Sequence, residues 1–281
     1  MKIELGRTNH LRVDHFAQQG AYLEGGPEGT ILLPARYVPE GLKEGDEIDV
    51  FVYLDSEERL VATTDAPKAQ VGDFAWLQVA WVNNYGAFLD WGLMKDLFVP
   101  FREQKMKMLK GHFYMVHVHL DEETYRIMAS AKVERYLSHE QPPYHNGDAV
   151  SALIWQKTDL GFKAIIDNQY AAMLFDGEVF RELHSGDRVT AYITQVRPDG
   201  KIDISLQRKG QKAVMDFSEV LHQHLQQNKG FTPLGDKSPA EEIYAMFGVS
   251  KKVFKKAIGD LYKRHLITID ADGIRLTQEV D

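Results

Sequence analysis

The chain of 281 residues contains no cysteine, which removes disulfide frameworks, thiolate zinc sites and thiol catalysis together. It has no run of about 18 apolar residues, so no membrane-spanning helix is expected. The stretch after Met1, IELGRTNHLRV, carries no long apolar segment behind a basic head, so no signal peptide is expected and the cytoplasm is the expected location. Positive charge is also short: 33 Lys and Arg stand against 41 Asp and Glu, a formal net charge of -8. That balance argues against a general phosphate sponge and leaves room only for a local basic face. No GxxxxGK phosphate loop, HExxH or GxSxG elbow occurs, and the acidic residues are scattered over turns. No catalytic residue, cofactor or resident metal is therefore expected. A metal-dependent nuclease without a local signature and a protein-binding scaffold remain the alternatives.

What the chain does have is a repeat. Gly6, Gly20 and Gly45 are spaced by 14 and 25 residues, and Gly72, Gly86 and Gly111, then Gly147, Gly161 and Gly186, keep both intervals. Three copies of one interval pair imply duplication of a structural unit. Four of the outer glycines precede Asp, at Asp46, Asp73, Asp148 and Asp187, which is turn chemistry leading into a strand. DEIDVFVYL, FYMVHVHL and DRVTAYITQV alternate as strands do, and LVATT, RIMASA and KIDISL follow acidic or Pro-Asp-Gly turns. Each unit is thus about five short strands in some 65 residues, the size of a small closed Greek-key barrel. The expected fold is mainly β with some α: OB-type barrels over 1–66, 67–134 and 144–208, a linker helix over 209–232, and a small helical domain over 233–281.

In the linker, Val214, Phe217, Val220, Leu221 and Leu225 follow the spacing of an amphipathic helix. Further on, Ser238 is expected to cap a helix, with Pro239 in its first position and Glu241 completing a capping box; Gly248 ends it and Ser250 caps the next. A hairpin turning at Asp272-Gly273 follows, so residues 233–281 read as a winged helix-turn-helix.

The segment GDFAWLQVAWVNNYGAFLDWG resembles the opening of an S1-type RNA-binding OB fold: Gly-Asp, then an aromatic-Gly-Ala-aromatic turn. Residues 68–131 carry this most fully. Three such units followed by a winged helix resemble the bacterial conserved virulence factor B family of RNA-binding regulators, over nearly the whole chain. The resemblance implies single-stranded RNA as partner, with little sequence specificity, and a role in gene expression rather than catalysis. It also implies that the two aromatics of the turn stack bases. Tyr85 and Phe88 match both positions; the first unit keeps only Tyr22, and the third has Leu160 and Lys163 there. The histidine that many S1 domains carry on the next strand is missing from TILLPA, DLFVPF and AMLFDG.

The residues themselves support part of this. After Gly86, strand alternation sends Ala87, Leu89 and Trp91 to one side and Phe88 to the wetter one, as a half-exposed strand former or a stacking platform. Arg102, Lys105, Lys107 and Lys110 follow in PFREQKMKMLKG, and cations beside aromatics have the composition of a nucleic-acid groove. Phe113, Met115, His117 and His119 share one face of FYMVHVHL, open to three readings: RNA contact, a pair of metal ligands, or a plain solvated face. Residues 1–66 hold 6 basic against 13 acidic side chains and should repel phosphate, whereas 67–134 hold 8 of each. In the last domain Lys251, Lys252, Lys255 and Lys256 give the second helix a basic face, for RNA, for DNA or for a protein partner.

Overall fold

The computed structural model describes residues 2–179, 182–207, 211–270 and 272–277, with the side chains of 211–216 outside the description. The chain falls into two compact units, Met1–Ser138 and His139–Asp281.

The first unit holds two closed five-stranded barrels. One comprises β1 (Thr8–Ala17), β2 (Gly20–Glu24), β3 (Thr30–Pro34), β4 (Glu47–Leu54) and β5 (Leu60–Thr63), in the order β1-β2-β3-β5-β4. The next repeats that order with β6 (Phe74–Val82), β7 (Gly86–Asp90), β8 (Leu97–Pro100), β9 (Phe113–Leu120) and β10 (Ile127–Ser130). The second unit opens with a third copy: β11 (Ala149–Thr158), β12 (Gly161–Ile166), β13 (Tyr170–Phe175), β14 (Arg188–Val196) and β15 (Ile202–Ser205). Closure leaves none of these short strands as an open edge. Alternate residues fill each interior, as Leu11, Val13, Ala21, Leu23, Ile31 and Leu33 do in the first barrel.

The repeated glycines have a steric cause. A Cβ on the middle glycine would lie 2.1 Å from the Leu33 carbonyl oxygen at Gly20, 2.2 Å from that of Val99 at Gly86 and 2.1 Å from that of Leu174 at Gly161. Backbone meets backbone there, so no side chain fits. The aspartates that follow the outer glycines close their turns: Asp46, Asp73, Asp148 and Asp187 each accept the backbone N–H of the residue three positions earlier, at 2.7 to 2.9 Å. This is the local Asx chemistry that the Gly-Asp pairs announced.

One duplicated feature is invisible to simple alternation. The first strand of every barrel is bulged, between Val13 and His15, Val79 and Trp81, and Ile154 and Gln156. A bulge inserts one residue and reverses the inward and outward phase beyond it.

The first two barrels share a core. Phe51, Tyr53 and Val61 of the first are buried in one cluster with Trp91, Leu93 and Leu97 of the second, and Phe51 meets the Trp91 ring edge-on at 5.6 Å. The Gln70 side chain bonds the Thr8 N–H and hydroxyl at 3.0 and 2.9 Å, and the Val71 N–H donates to the Gly6 carbonyl at 2.8 Å. Lys95 Nζ donates to the carbonyls of Leu54 and Asp55 at 3.0 and 2.8 Å, and burial holds its ammonium below the usual lysine range.

The second unit continues with α1 (Gln211–Gln227), β16 (Phe231–Thr232), α2 (Ala240–Phe247), α3 (Lys251–Lys263), β17 (Ile267–Asp270) and β18 (Gly273–Leu276), the sheet order being β16-β18-β17. The helix expected as a linker instead supplies Phe217, Leu221 and Leu225 to the core around Phe254, Ala257 and Leu261. Val220, expected on its apolar stripe, is 52% exposed while Ser218 is buried, and the Val214 side chain lies outside the described residues. Ser250 caps α3 as expected, accepting from the Val253 N–H, and Gly248 ends α2 in a left-handed conformation at φ 67°. Ser238 does not cap α2: its hydroxyl accepts the Gly235 N–H at 2.9 Å, and Pro239 occupies the cap position without a side-chain bond. The turn upstream has captured the hydroxyl that the capping box needed.

Candidate nucleic-acid interface

The bulge at Ala80 decides the site. Plain alternation would send Trp81 inward with Leu77 and Val79; the phase reversal turns it out, 42% exposed, opposite Phe88 in register. The two rings lie parallel at 3.7 Å and 2°, and Phe98, the β8 partner of Phe88, continues the row at 4.9 Å. The indole N–H donates to Asp96 Oδ2 at 2.8 Å, which fixes the outermost ring. Phe98 sits on the strand where the S1 histidine was missing. Neither Trp81 nor Phe98 was among the expected site residues.

Tyr85 is 75% exposed and stands in the β6–β7 turn rather than in the stack. Asn83 Oδ1 accepts the N–H groups of Tyr85 and Gly86 at 2.8 and 3.2 Å, so the turn that carries Tyr85 is preformed.

These rings form one wall of a groove of about 880 Å³, within the 300–1,000 Å³ typical of ligand sites. The opposite wall is the β4–β5 hairpin of the first barrel, with Tyr53, Leu54, Ser56 and Glu58. Arg102 lines the groove, paired with Asp121 at 2.8 Å. The Thr124 hydroxyl, with Arg102 adding to it, holds the Asp121 carboxyl below the usual range. Arg126 pairs with Glu58 across the two barrels.

The basic run does not act as one strip. Only Arg102 shares the groove with Phe88 and Tyr85. Lys105 pairs with Glu134; Lys107 lines a separate hollow beside Asn84 and Phe101; Lys110 is exposed. The groove's own charges cancel, with Lys95, Arg102 and Arg126 against Glu58, Asp96 and Asp121.

The strand face expected to present Phe113, Met115, His117 and His119 together is largely covered. The chain turns back after β10, and Tyr136 of the single helical turn Val133–Tyr136 stacks on His117 at 4.0 Å while Phe74 packs against it at 4.7 Å. His117 is left 8% exposed, Met115 is buried, His119 is half-buried, and Phe113 remains open, stacked loosely on Trp76. Among the described residues no group of three His, Cys, Asp or Glu is placed to hold a metal. Nδ1 of both histidines is buried without a hydrogen-bond partner among the described residues.

Burial, with His119 adding to it, pushes the His117 imidazole down to about 4. Between that value and the unfolded value near 6.5 the unfolded chain binds a proton that the fold refuses. Stability should therefore be full above about pH 6.5 and fall as pH drops toward 4. Chemical denaturation at pH 7 and pH 5 should show that slope in the wild type and a flatter one in His117→Leu.

The other barrels carry partial versions of the stack. Tyr22 lies parallel to His15 at 4.7 Å and 6°, in the same register as Phe88 on Trp81. In the third barrel Gln156 faces Lys163, whose ammonium lies 5.3 Å from the Trp155 ring. In the second unit α3 buries Phe254, Ala257, Ile258 and Leu261, leaving Lys252, Lys255, Lys256 and Lys263 exposed on its outer side. Lys251 is half-buried, with Nζ 3.5 Å from the Lys237 carbonyl.

Comparison with known proteins agrees with this architecture at both ends. Residues 5–65 match the S1 domain family and residues 219–276 match the CvfB-like winged helix domain family. The Bacillus subtilis (strain 168) protein YitL is 28% identical over 265 residues, covering 92% of this chain and 89% of that one. Conserved virulence factor B of Staphylococcus aureus (strain USA300) is 26% identical over 272 residues, covering 93% and 91%. A crystal structure described as a multidomain protein with nucleic acid binding domains, from Streptococcus pneumoniae, is 23% identical with a TM-score of 0.41, covering 97% of this chain and 98% of that one. The chain is thus similar over nearly its whole length to the conserved virulence factor B proteins, matching the S1 domain family near its front and the CvfB-like winged helix family near its back.

Proposed function

We propose that the protein binds single-stranded RNA without cleaving it, acting in the cytoplasm on gene expression after transcription. The observation that carries this is the outward stack of Trp81, Phe88 and Phe98 in a preformed groove, because unpaired bases offer flat faces to such rings whereas duplex bases are already stacked. S1 and winged-helix domains are nucleic-acid-binding types, and no helix among the described residues is long and apolar enough to cross a membrane. The basic outer side of α3 supplies a second contact surface, for RNA backbone in preference to DNA.

Labelled single-stranded RNA incubated with the purified protein, with and without magnesium, should be retained uncut, and duplex DNA should compete poorly. Cleavage would make the protein a nuclease, and no retention would leave it a protein-binding scaffold. Affinity should fall with salt, and the slope should belong to α3, since the groove is neutral. Changing Lys252, Lys255 and Lys256 together to Glu should flatten the plot of log affinity against log salt. An unchanged slope would move the phosphate contacts elsewhere.

A further inference from the structure

Resting on the reading of the groove as an RNA site, we propose that it selects guanine, with Asp96 as the specificity-determining residue. Asp96 lines the groove half-buried, and Oδ2 is held by the Trp81 indole N–H at 2.8 Å. Its other oxygen carries no hydrogen bond among the described residues. A carboxylate only accepts hydrogen bonds, and it repels phosphate. The part of a nucleotide that can approach it is therefore an uncharged base edge with donors.

Guanine fits best, because its pairing edge presents N1–H and N2–H2 side by side. Adenine and cytosine each set one amino group beside a ring-nitrogen lone pair, and uracil flanks its single N–H with two carbonyls. Asn83 adds the complement. Its Oδ1 is occupied by the N–H groups of Tyr85 and Gly86, which fixes the amide with Nδ2 without an acceptor among the described residues, and the residue lines the same groove. A guanine O6 next to N1–H is an acceptor for that donor. The cancelling charges of Lys95, Arg102, Arg126, Glu58, Asp96 and Asp121 point the same way: a groove with no surplus cation discriminates by base rather than by backbone.

The test is a fluorescence-anisotropy titration of the full chain with an eight-nucleotide uridine strand and the same strand carrying two central guanosines. The wild type should prefer the guanosine strand by about tenfold, within the range of a bidentate base contact. Asp96→Asn keeps an oxygen for the indole N–H and so keeps the ring stack, but replaces an acceptor with a donor. It should lose the preference and retain the uridine strand, with an unchanged melting temperature. Equal wild-type affinities, or a preference that survives in Asp96→Asn, would overturn the assignment.

Trp81→Ala separates this from the broader reading. If it binds both strands as well as the wild type does, RNA is not in the groove at all. If it loses both while Asp96→Asn still prefers guanosine, only the guanine assignment fails. Guanosine monophosphate should compete with the guanosine strand more weakly than unlabelled strand does. Equal potency would assign the site to a free nucleotide and overturn the strand as its ligand.

Discussion

Trp81→Ala should weaken single-stranded RNA binding by about 1 to 3 kcal/mol, the usual value of one stacked base, or roughly five- to 150-fold in Kd. Stability should change less. The indole is partly in water, and the Trp81–Phe88 contact at 3.7 Å is the main thing lost, worth about 0.5 to 1.5 kcal/mol. Phe88→Ala should match it in binding and cost more in stability, because that ring packs against both Trp81 and Phe98. A filter-binding titration beside a thermal melt separates the two quantities. Binding within twofold of wild type in both variants would remove the stack from the interface, and unfolding of Phe88→Ala would make the ring a core residue.

The largest effect on folding should come from Trp91→Ala, at about 3 to 5 kcal/mol, the range for emptying a buried aromatic site. Its indole is 3% exposed, donates to the Lys95 carbonyl at 2.6 Å and meets Phe51 of the neighbouring barrel. Both barrels of the first unit should therefore lose protection together in hydrogen exchange, although the substitution lies in only one of them. Exchange confined to β6–β10 would show that the common cluster does not couple them.

The fold was legible because its cues are local and triplicated. Gly20, Gly86 and Gly161 occupy backbone contacts that admit no side chain, and the Gly-Asp turns close on themselves within three residues. The stack was only half legible. Phe88 follows a glycine on an unbulged strand, so period two places it correctly; Trp81 lies beyond a bulge, so period two places it in the core. His15 and Gln156 stand at its position in the other repeats, and that polarity was the available signal for an outward face. The histidine strand misled for a different reason. Alternation along FYMVHVHL is correct, but Tyr136, distant in sequence, covers the face it defines. The groove's second wall could not be read from charge. Residues 1–66 are acidic, yet they line the site with Tyr53, Leu54 and Ser56 and one acid, Glu58, which Arg126 pairs.

The cluster joining Phe51, Tyr53 and Val61 to Trp91 also orders events during synthesis. The amino-terminal barrel leaves the ribosome first, but the cluster around those three side chains is incomplete until Trp91, Leu93 and Leu97 follow. At roughly 5 to 20 residues per second the interval is a few seconds. For that time the nascent chain carries a sticky apolar face next to an open hairpin, which a slow stretch of message between the two coding segments would prolong. Arrested chains released near residue 85 should be cut by protease within β4 and β5, and chains long enough to expose residue 131 should resist. The surface that later walls the groove thus begins as an apolar face that a chaperone would shield.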